Sequence, residues 1–263
     1  LRPPSSAPSP LALPSAVPAP AGLVLEAPAP TEPEPRRFII RDWLPAGYAT
    51  RRAGHGGAGK SGIALQLAVC IAAGAPFVGI AVEQRKVLYL SCEDRADVMH
   101  WRLSRICAHL GLDLSKLSGL LEIVDLVGHD SVLWERDPRT GYAITPAFGR
   151  LEERMRECQA EVLVVDGISD TFGGNENSRS EVKRFINGLV ALILAQTGAV
   201  LLVGHIAKPM AASQRGGGNG ARAEGHSVST AWHNSVRARW YLRPEGGDSE
   251  EGARPRRSLS TGM

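Results

Sequence analysis

Short apolar runs alternate with longer amphipathic stretches along most of the chain. The runs at residues 87–90, 162–165 and 199–204 are apolar at nearly every position, without polar alternation. A central strand of a parallel sheet is covered on both faces, so its sequence is continuously apolar. The pattern therefore predicts three central strands of a parallel sheet.

Four segments around these runs have helical spacing, at residues 61–73, 96–110, 145–159 and 180–196. In the last segment, apolar side chains recur every three or four positions: Val182, Phe185, Ile186, Leu189, Ile193 and Leu194. Strands that alternate with helices favour right-handed crossovers within one doubly wound domain. We predict an α/β fold with a mostly parallel, twisted sheet flanked by helices.

Both ends of the chain depart from this pattern. Eleven of the eighteen prolines lie before residue 36, which predicts a disordered or polyproline-like linker over residues 1–36. We expect the ordered domain to span residues 37–244, followed by a polar, disordered tail at 245–263. The first residue is Leu1 rather than Met, so a fragment or a truncated copy is one alternative.

One segment matches the pattern GxxxxGK[ST] at every fixed position. It consists of Gly54, His55, Gly56, Gly57, Ala58, Gly59, Lys60 and Ser61, and is called the phosphate loop below. Glycines let backbone amides surround a phosphate, and the positive end of the following helix adds to the attraction. Lys60 is expected to reach the β- and γ-phosphates, and the Ser61 hydroxyl to bind a metal ion. The predicted ligands are ATP and Mg²⁺.

The strand that enters the phosphate loop contains two adjacent arginines, Arg51 and Arg52. Neighbouring residues of a strand point to opposite faces of the sheet, so at least one of these charges must approach the core. Nothing in the sequence explains why a central strand carries this pair.

Acidic residues follow two of the central strands, where the carboxyl ends of parallel strands meet. Asp166 is predicted to hold Mg²⁺ through water, and capping of the next turn is the alternative. Glu93 is predicted to activate the attacking water as a general base. Its rivals are Asp94 as the base, or a helix-capping role for either residue at the helix that begins at Ala96.

His205 ends the third central strand, at the same edge of the sheet. We predict that its imidazole senses the γ-phosphate and passes the loss of that group to the Gly-rich segment that follows. An ordinary hydrogen-bonding role is the alternative.

Composition excludes some kinds of site and segment but does not identify a function. The net charge of +3 is too small to identify a nucleic-acid partner. The four cysteines form no CxxC pair, which fits a reducing cytoplasm and predicts neither a disulfide framework nor a zinc site. No apolar run reaches the roughly 18 residues of a membrane helix. We therefore expect a cytoplasmic protein without a membrane segment.

The order of these motifs resembles the RepA-like replicative helicases of plasmids and phages, a RecA-type family of AAA ATPases. The resemblance covers about residues 38–243 and rests on six segments: Asp-Trp-Leu-Pro at 42–45, Leu-Ser-Cys-Glu-Asp at 90–94, Asp-Gly-Ile-Ser-Asp at 166–170, Gly-Asn-Glu-Asn-Ser-Arg at 174–179, His205, and Ser-Thr-Ala-Trp-His-Asn-Ser-Val-Arg at 229–237. The chain departs from the family at the arginine pair and by ending soon after Arg257, where relatives continue into further core strands.

The resemblance implies a RecA-like core and a homo-hexameric ring, with ATP bound between neighbouring subunits. An arginine of one subunit then reaches the γ-phosphate of its neighbour as a finger. Arg237 is the first candidate, Arg239 the second and Lys208 a further basic one. Arg237 and Arg239 are two positions apart on a strand, so they are expected to share one face. A solvated strand arginine is the alternative for either.

The Gly-rich segment at 208–226 gains a role from the same resemblance, as a contact for single-stranded DNA inside the ring. Residues 208–243 contain six Lys and Arg against one Glu, which suits binding to a phosphate backbone. The expected function is an ATP-driven DNA helicase, with a replication initiator or a primase as a possible further partner. The alternatives are a DNA-dependent ATPase of recombination or regulation without unwinding, and a truncated ATP-binding module.

Overall fold

The computed structural model describes residues 32, 35–54, 57–139, 143–193, 197–205, 230–244 and 257–262. Its elements in chain order are β1 (Phe38–Ile40), β2 (Leu44–Pro45), β3 (Ala49–Gly54), α1 (Lys60–Ala73), β4 (Val87–Ser91), α2 (Ala96–Leu110), a 3-10 helix (Leu114–Leu117), β5 (Leu121–Asp125), β6 (Trp134–Glu135), β7 (Ala143–Ile144), α3 (Pro146–Glu157), β8 (Val162–Asp166), α4 (Ile168–Thr171), β9 (Phe172–Gly173), α5 (Arg179–Ala191), β10 (Ala199–His205), α6 (Thr230–Ser235), β11 (Ala238–Pro244) and β12 (Arg257–Gly262).

The main sheet has seven strands in the order β12-β11-β3-β10-β8-β4-β5. The six strands from β11 to β5 are mutually parallel, and β12 pairs antiparallel with β11 at one edge. The three apolar runs form β4, β8 and β10, and all four helical segments are present. The α/β fold with a mostly parallel sheet flanked by helices is therefore confirmed.

The sheet separates two apolar clusters, because successive strand residues point to opposite faces. On one face, Leu88 and Leu90 pack with residues of α3, α5 and α6. On the other face, Val87 and Tyr89 pack with residues of α1 and α2. The central strands are buried on both sides, which explains why their sequences are continuously apolar.

The arginine pair in β3 is the exception, and both side chains lie inside. Arg51 faces the cluster of α6, where its guanidinium lies 5.8 Å from the centre of the Trp232 ring. Arg52 faces α1, is completely buried, and donates from Nη1 to the carbonyl oxygen of Lys60 at 2.8 Å. Each arginine therefore occupies a different face of the sheet.

The C-terminal prediction was wrong in part. The polar tail at 245–263 was expected to be disordered, but residues 257–262 form β12, which pairs with β11 in register from Arg239↔Gly262 to Pro244↔Arg257. The open edge of β11 supplies backbone donors and acceptors, and pairing with them needs no apolar pattern in the added strand. Residues 245–256 and most of the predicted linker at 1–36 lie outside the described residues.

The Asp-Trp-Leu-Pro segment has a packing role. Trp43 meets Trp240 of β11 and Phe77 edge-on, with ring centres 5.3 and 6.1 Å apart. The indole N–H of Trp240 donates to the carbonyl oxygen of Trp43 at 2.9 Å. This contact fixes the β1–β2 hairpin against the sheet. Across the described ranges, no helix combines the length and apolar character that crossing a membrane requires.

Candidate nucleotide-binding site

The phosphate loop joins β3 to α1, as predicted. Gly57 and Gly59 have φ angles of 72° and 80°, a left-handed conformation that side chains other than glycine rarely adopt. Gly59 occupies the N-cap position of α1, so the positive end of the helix dipole lies at the loop. His55 and Gly56 lie outside the described residues.

Gly54 begins the loop and has a steric reason to be glycine. A Cβ atom at this position would lie 2.7 Å from the carbonyl oxygen of Leu242 in β11. The neighbouring strand therefore passes too close to Gly54 for any side chain. This contact ties the start of the loop to the strand that carries the candidate finger Arg239.

Asp166 is held at the end of β8 by two hydroxyl groups. Ser61 Oγ donates to its Oδ1 at 3.1 Å, and Tyr89 Oη donates to its Oδ2 at 2.5 Å. Asp166 is only 2% exposed, and burial raises the pKa of its carboxyl; the charges of Glu93 and Asp94 add to this, while the two hydrogen bonds oppose it. Tyr89 keeps its proton, because burial raises its pKa well above the ordinary value.

The capping alternative for Asp166 does not hold. The next helix, α4, has Gly167 at its N-cap position and receives no side-chain cap. Ser61 and Asp166 instead form the pair that suits a hydrated Mg²⁺ beside phosphates, since this ion keeps water and takes one or two protein oxygens. Among the described residues, no cluster of three His, Cys, Asp or Glu side chains could hold a metal by itself. The residues present therefore fit a metal that arrives with the nucleotide.

Lys60, His205 and Glu93 form one hydrogen-bonded chain. Lys60 Nζ lies 3.1 Å from His205 Nδ1, and His205 Nε2 lies 3.1 Å from Glu93 Oε1. The lysine donates, so the geometry suits the tautomer with the proton on Nε2, which donates to the glutamate. Burial lowers the pKa of Lys60, while the charges of Glu93 and Asp166 oppose that change.

The order of the strands in the sheet explains why Lys60, His205 and Glu93 lie close together. β10 lies between β3 and β8, and β4 lies on the far side of β8. All four strands run parallel, so their carboxyl ends reach the same edge. His205 pairs in register with Gly54 at the start of the phosphate loop. Glu93 keeps about two fifths of its side chain exposed, which gives a water molecule access to its carboxylate.

The rivals of Glu93 have other partners. Asp94 forms an ion pair with Arg102, whose Nη2 lies 3.1 Å from its Oδ1. The N-cap position of α2 is Arg95, and the amide of Ala96 donates to Asp125 Oδ2 at 2.8 Å. Neither Glu93 nor Asp94 caps the helix. Among the acidic candidates, the geometry favours Glu93 as the base.

The candidate finger residues lie elsewhere. β11 runs parallel to β3 with Ala238 opposite Thr50 and Leu242 opposite Gly54, so Arg237 precedes the strand at the edge opposite the phosphate loop. Arg237 is exposed, with its guanidinium 5.8 Å from the centre of the Tyr48 ring. Arg239 is half-buried and donates from Nη1 to the carbonyl oxygen of His233 at 3.3 Å. The structure does not bring either arginine to the phosphate loop of its own chain.

Two residues near the site were missed by the sequence reasoning. In the sequence, Tyr89 is simply one residue of an apolar run that predicts a strand. Only the pairing of β4 with β8 brings its hydroxyl to Asp166. Arg52 was noticed as an anomaly, but its contact with Lys60 requires the turn of the phosphate loop. Lys208 and the Gly-rich segment at 208–226 lie outside the described residues.

Comparisons with known proteins agree with this geometry. Residues 11–211 match the AAA domain family. The fold is similar to the crystal structure of the KaiC-like protein PH0186 from the hyperthermophilic archaeon Pyrococcus horikoshii OT3, with a TM-score of 0.52 and 18% identity over 87% of this chain and 88% of that one. A search of curated proteins gave no match. The family match spans more than half of the sequence, and the chain therefore belongs to the AAA domain family, as a P-loop ATPase domain with a RecA-type fold.

Proposed function

We propose that the protein hydrolyses ATP to move along single-stranded DNA, as a homo-hexameric helicase of a plasmid, phage or mobile element. The observation that carries this proposal is the hydrogen-bonded chain from Lys60 through His205 to Glu93. His205 contacts both the phosphate-binding lysine and the candidate base, and the basic, Gly-rich sequence follows it directly. A change at the γ-phosphate that moves His205 would therefore act close to the segment proposed to hold DNA, which begins three residues later at Lys208.

The chemistry follows from the positions of these side chains. Amides of the phosphate loop and Lys60 bind the β- and γ-phosphates and orient the γ-phosphate toward Glu93. Glu93 accepts a proton from the attacking water, which forms the new P–O bond as the bond to ADP breaks. A bound Mg²⁺, held by Ser61 and through water by Asp166, would neutralise charge on the phosphates. His205 then loses its γ-phosphate contact and returns to Lys60 and Glu93.

The DNA part of the proposal rests on sequence and on the resemblance to RepA-like helicases. Residues 206–229 contain three Lys and Arg and one Glu, without an aromatic side chain for base stacking. Such a segment suits contact with the phosphate backbone, independent of base sequence and weakened by salt. The four free cysteines fit the proposed cytoplasmic location. A replication initiator or a primase is the kind of partner that a helicase of this type needs for loading.

Steady-state ATP hydrolysis with and without single-stranded DNA tests the proposal, at low salt and with Lys60→Ala as the inactive control. We expect DNA to stimulate turnover at least about tenfold and added salt to remove most of that stimulation. A sizing run with ATP should show a ring-sized species, and strand separation is then measured on a forked duplex.

If DNA does not change the rate of hydrolysis and the protein stays monomeric, the proposed DNA motor is wrong and the protein is an ATPase of another kind. Nucleotide binding without any turnover would instead support the ATP-binding module. Stimulation without strand separation would identify a DNA-dependent ATPase of the recombination or regulatory type.

A further inference from the structure

The arginine pair of β3 contacts the main chain of two site residues. Arg52 Nη1 donates to the carbonyl oxygen of Lys60 at 2.8 Å, and Arg51 Nη2 donates to that of His205 at 3.4 Å. Arg52 is fully buried, and its Nε and Nη2 atoms have no hydrogen-bond partner among the described residues. A buried guanidinium with unpaired N–H groups opposes folding. A stabilising role alone therefore does not explain this residue.

The charge of Arg52 remains in place at neutral pH. Burial lowers the pKa of Arg52 to about 10, and the neighbouring Tyr89 and Asp166 side chains oppose that change. The same charge contributes to the lowered pKa of Lys60. The guanidinium therefore acts electrostatically on both the phosphate-binding lysine and the carboxylate expected to hold the metal.

Arg51 provides an internal comparison. It is also buried and lies in the same strand, but on the face of α6, over the ring of Trp232. Burial lowers its pKa to about 10 as well, and the opposing charge is that of Glu176 rather than of a phosphate-site residue. The two arginines thus share chemistry and burial but differ in the face of the sheet that their charge reaches.

We propose that Arg52 is a fixed positive charge beneath the phosphate loop, which lets the site bind ATP or ADP with little dependence on Mg²⁺. The inference rests on nucleotide binding by the phosphate loop and not on any action on DNA. A metal-free nucleotide carries more negative charge than its Mg²⁺ complex, so a nearby cation favours the metal-free form. The same cation repels Mg²⁺ itself. Arg52 is a positioning residue, because it acts through charge and through the backbone of Lys60.

Calorimetric titration with a non-hydrolysable ATP analogue tests the proposal, in excess Mg²⁺ and again in EDTA. The quantity compared is the ratio of the dissociation constant in EDTA to the dissociation constant in excess Mg²⁺. We expect the wild-type ratio to be small, and the ratio for Arg52→Met and Arg52→Gln to be larger by on the order of tenfold. Arg52→Lys keeps the charge and should retain the wild-type ratio. Arg51→Met, the matched control, should also retain it.

A purely structural role predicts a different result. Loss of packing would weaken binding equally with and without Mg²⁺, in Arg51→Met as much as in Arg52→Met, with a lowered melting temperature. Equal ratios in all five proteins, or a wild type that binds only with Mg²⁺, would overturn the proposal while leaving the nucleotide site intact. Absence of binding in wild type under both conditions would overturn the nucleotide site itself.

Discussion

Asp166 illustrates a side chain whose position opposes stability. Its carboxyl is buried, and its raised pKa means that the folded state binds the proton more tightly than the unfolded chain does. At a pH below its pKa in both the folded and the unfolded state, the carboxyl is neutral in both states and does not lower the free energy of unfolding. As the pH rises through the folded pKa, the buried charge forms and folding is disfavoured. Above the folded pKa, this cost is fully present.

We therefore expect Asp166→Asn to raise the free energy of unfolding at pH 7, because the amide still accepts from Ser61 or Tyr89 and carries no charge. The gain should shrink as the pH falls through the folded pKa of Asp166. Urea denaturation without nucleotide, at pH 7 and at more acidic values, measures it.

Asp125→Asn is the control with the opposite sign. Hydrogen bonds from the amides of Val127 and Ala96 lower the pKa of Asp125. This carboxylate supports folding above its unfolded pKa, and that support is lost as the pH falls through its folded pKa. The control should therefore be less stable than wild type at pH 7, with a difference that disappears in acid. An Asp166→Asn variant that behaves in the same way would contradict the assignment of burial as the main cause.

Glu93→Gln tests the chemistry at the same scale. The amide keeps the size of the side chain but cannot accept the proton of water, so turnover should fall at least about 100-fold while ATP affinity stays near that of wild type. Lys60→Ala should instead lose affinity, since a charged donor to the phosphates is gone. Stopped-flow binding and phosphate release separate the two effects. Unchanged turnover in Glu93→Gln would move the base to another residue.

At the scale of elements, β11 limits the size of the residue that can begin the phosphate loop. Its backbone lies so close to Gly54 that an added Cβ would meet the Leu242 oxygen at 2.7 Å. The strand was not among the three predicted from apolar runs, because Arg239 and Arg243 leave only three consecutive apolar or aromatic residues between them. β12 and the short strands β6, β7 and β9 were also not among the strands predicted from apolar runs. The sequence predicted strands that are buried on both faces and missed those whose stability comes mainly from their neighbours.

Gly54→Ala should therefore destabilise the protein by about 1–3 kcal/mol, because β11 or the loop must shift to accept the methyl group. Gly62→Ala is the matched control: Gly62 lies inside α1 with open space around its Cβ position. Alanine there should stabilise the protein by about 0.5–1 kcal/mol, since it lowers the entropy cost of helix formation. Chemical denaturation of both variants measures the signs. Equal and small effects would show that β11 can move away without cost.

Parallel sheet topology explains why the core of the site could be predicted from the sequence. Lys60, Ser61, Asp166, Glu93 and His205 all follow or end strands of one parallel sheet, so their positions along the chain place them at one edge. Tyr89 and Arg52 could not be assigned in this way, because they act from within strands and their contacts depend on which strands pair. Arg237 directly precedes β11 and Arg239 lies near its start, at the opposite edge, and the role proposed for them requires a second subunit.

At the scale of the whole molecule, Arg237 precedes Leu242, the residue that pairs with Gly54, by five positions, or about 16 Å of extended chain. Serving its own phosphate loop is therefore excluded for an arginine at this edge, whereas a neighbour in a closed, head-to-tail ring can present the same edge to the next site. Its exposed position over Tyr48 leaves the guanidinium accessible. This placement supports the proposed finger in trans and makes a prediction about mixtures.

Arg237→Ala alone should bind ATP and lose turnover, because every site lacks its finger, and Lys60→Ala alone should not bind ATP. When the two are mixed, an Arg237→Ala subunit next to a Lys60→Ala subunit has an intact phosphate loop facing an intact arginine. With random assembly at equal amounts, about a quarter of the interfaces have this order, so turnover should recover to a comparable fraction of wild type. Arg239→Ala, mixed in the same way, tests the second candidate. If neither mixture recovers activity at any ratio although mixed rings form, the finger lies on another residue.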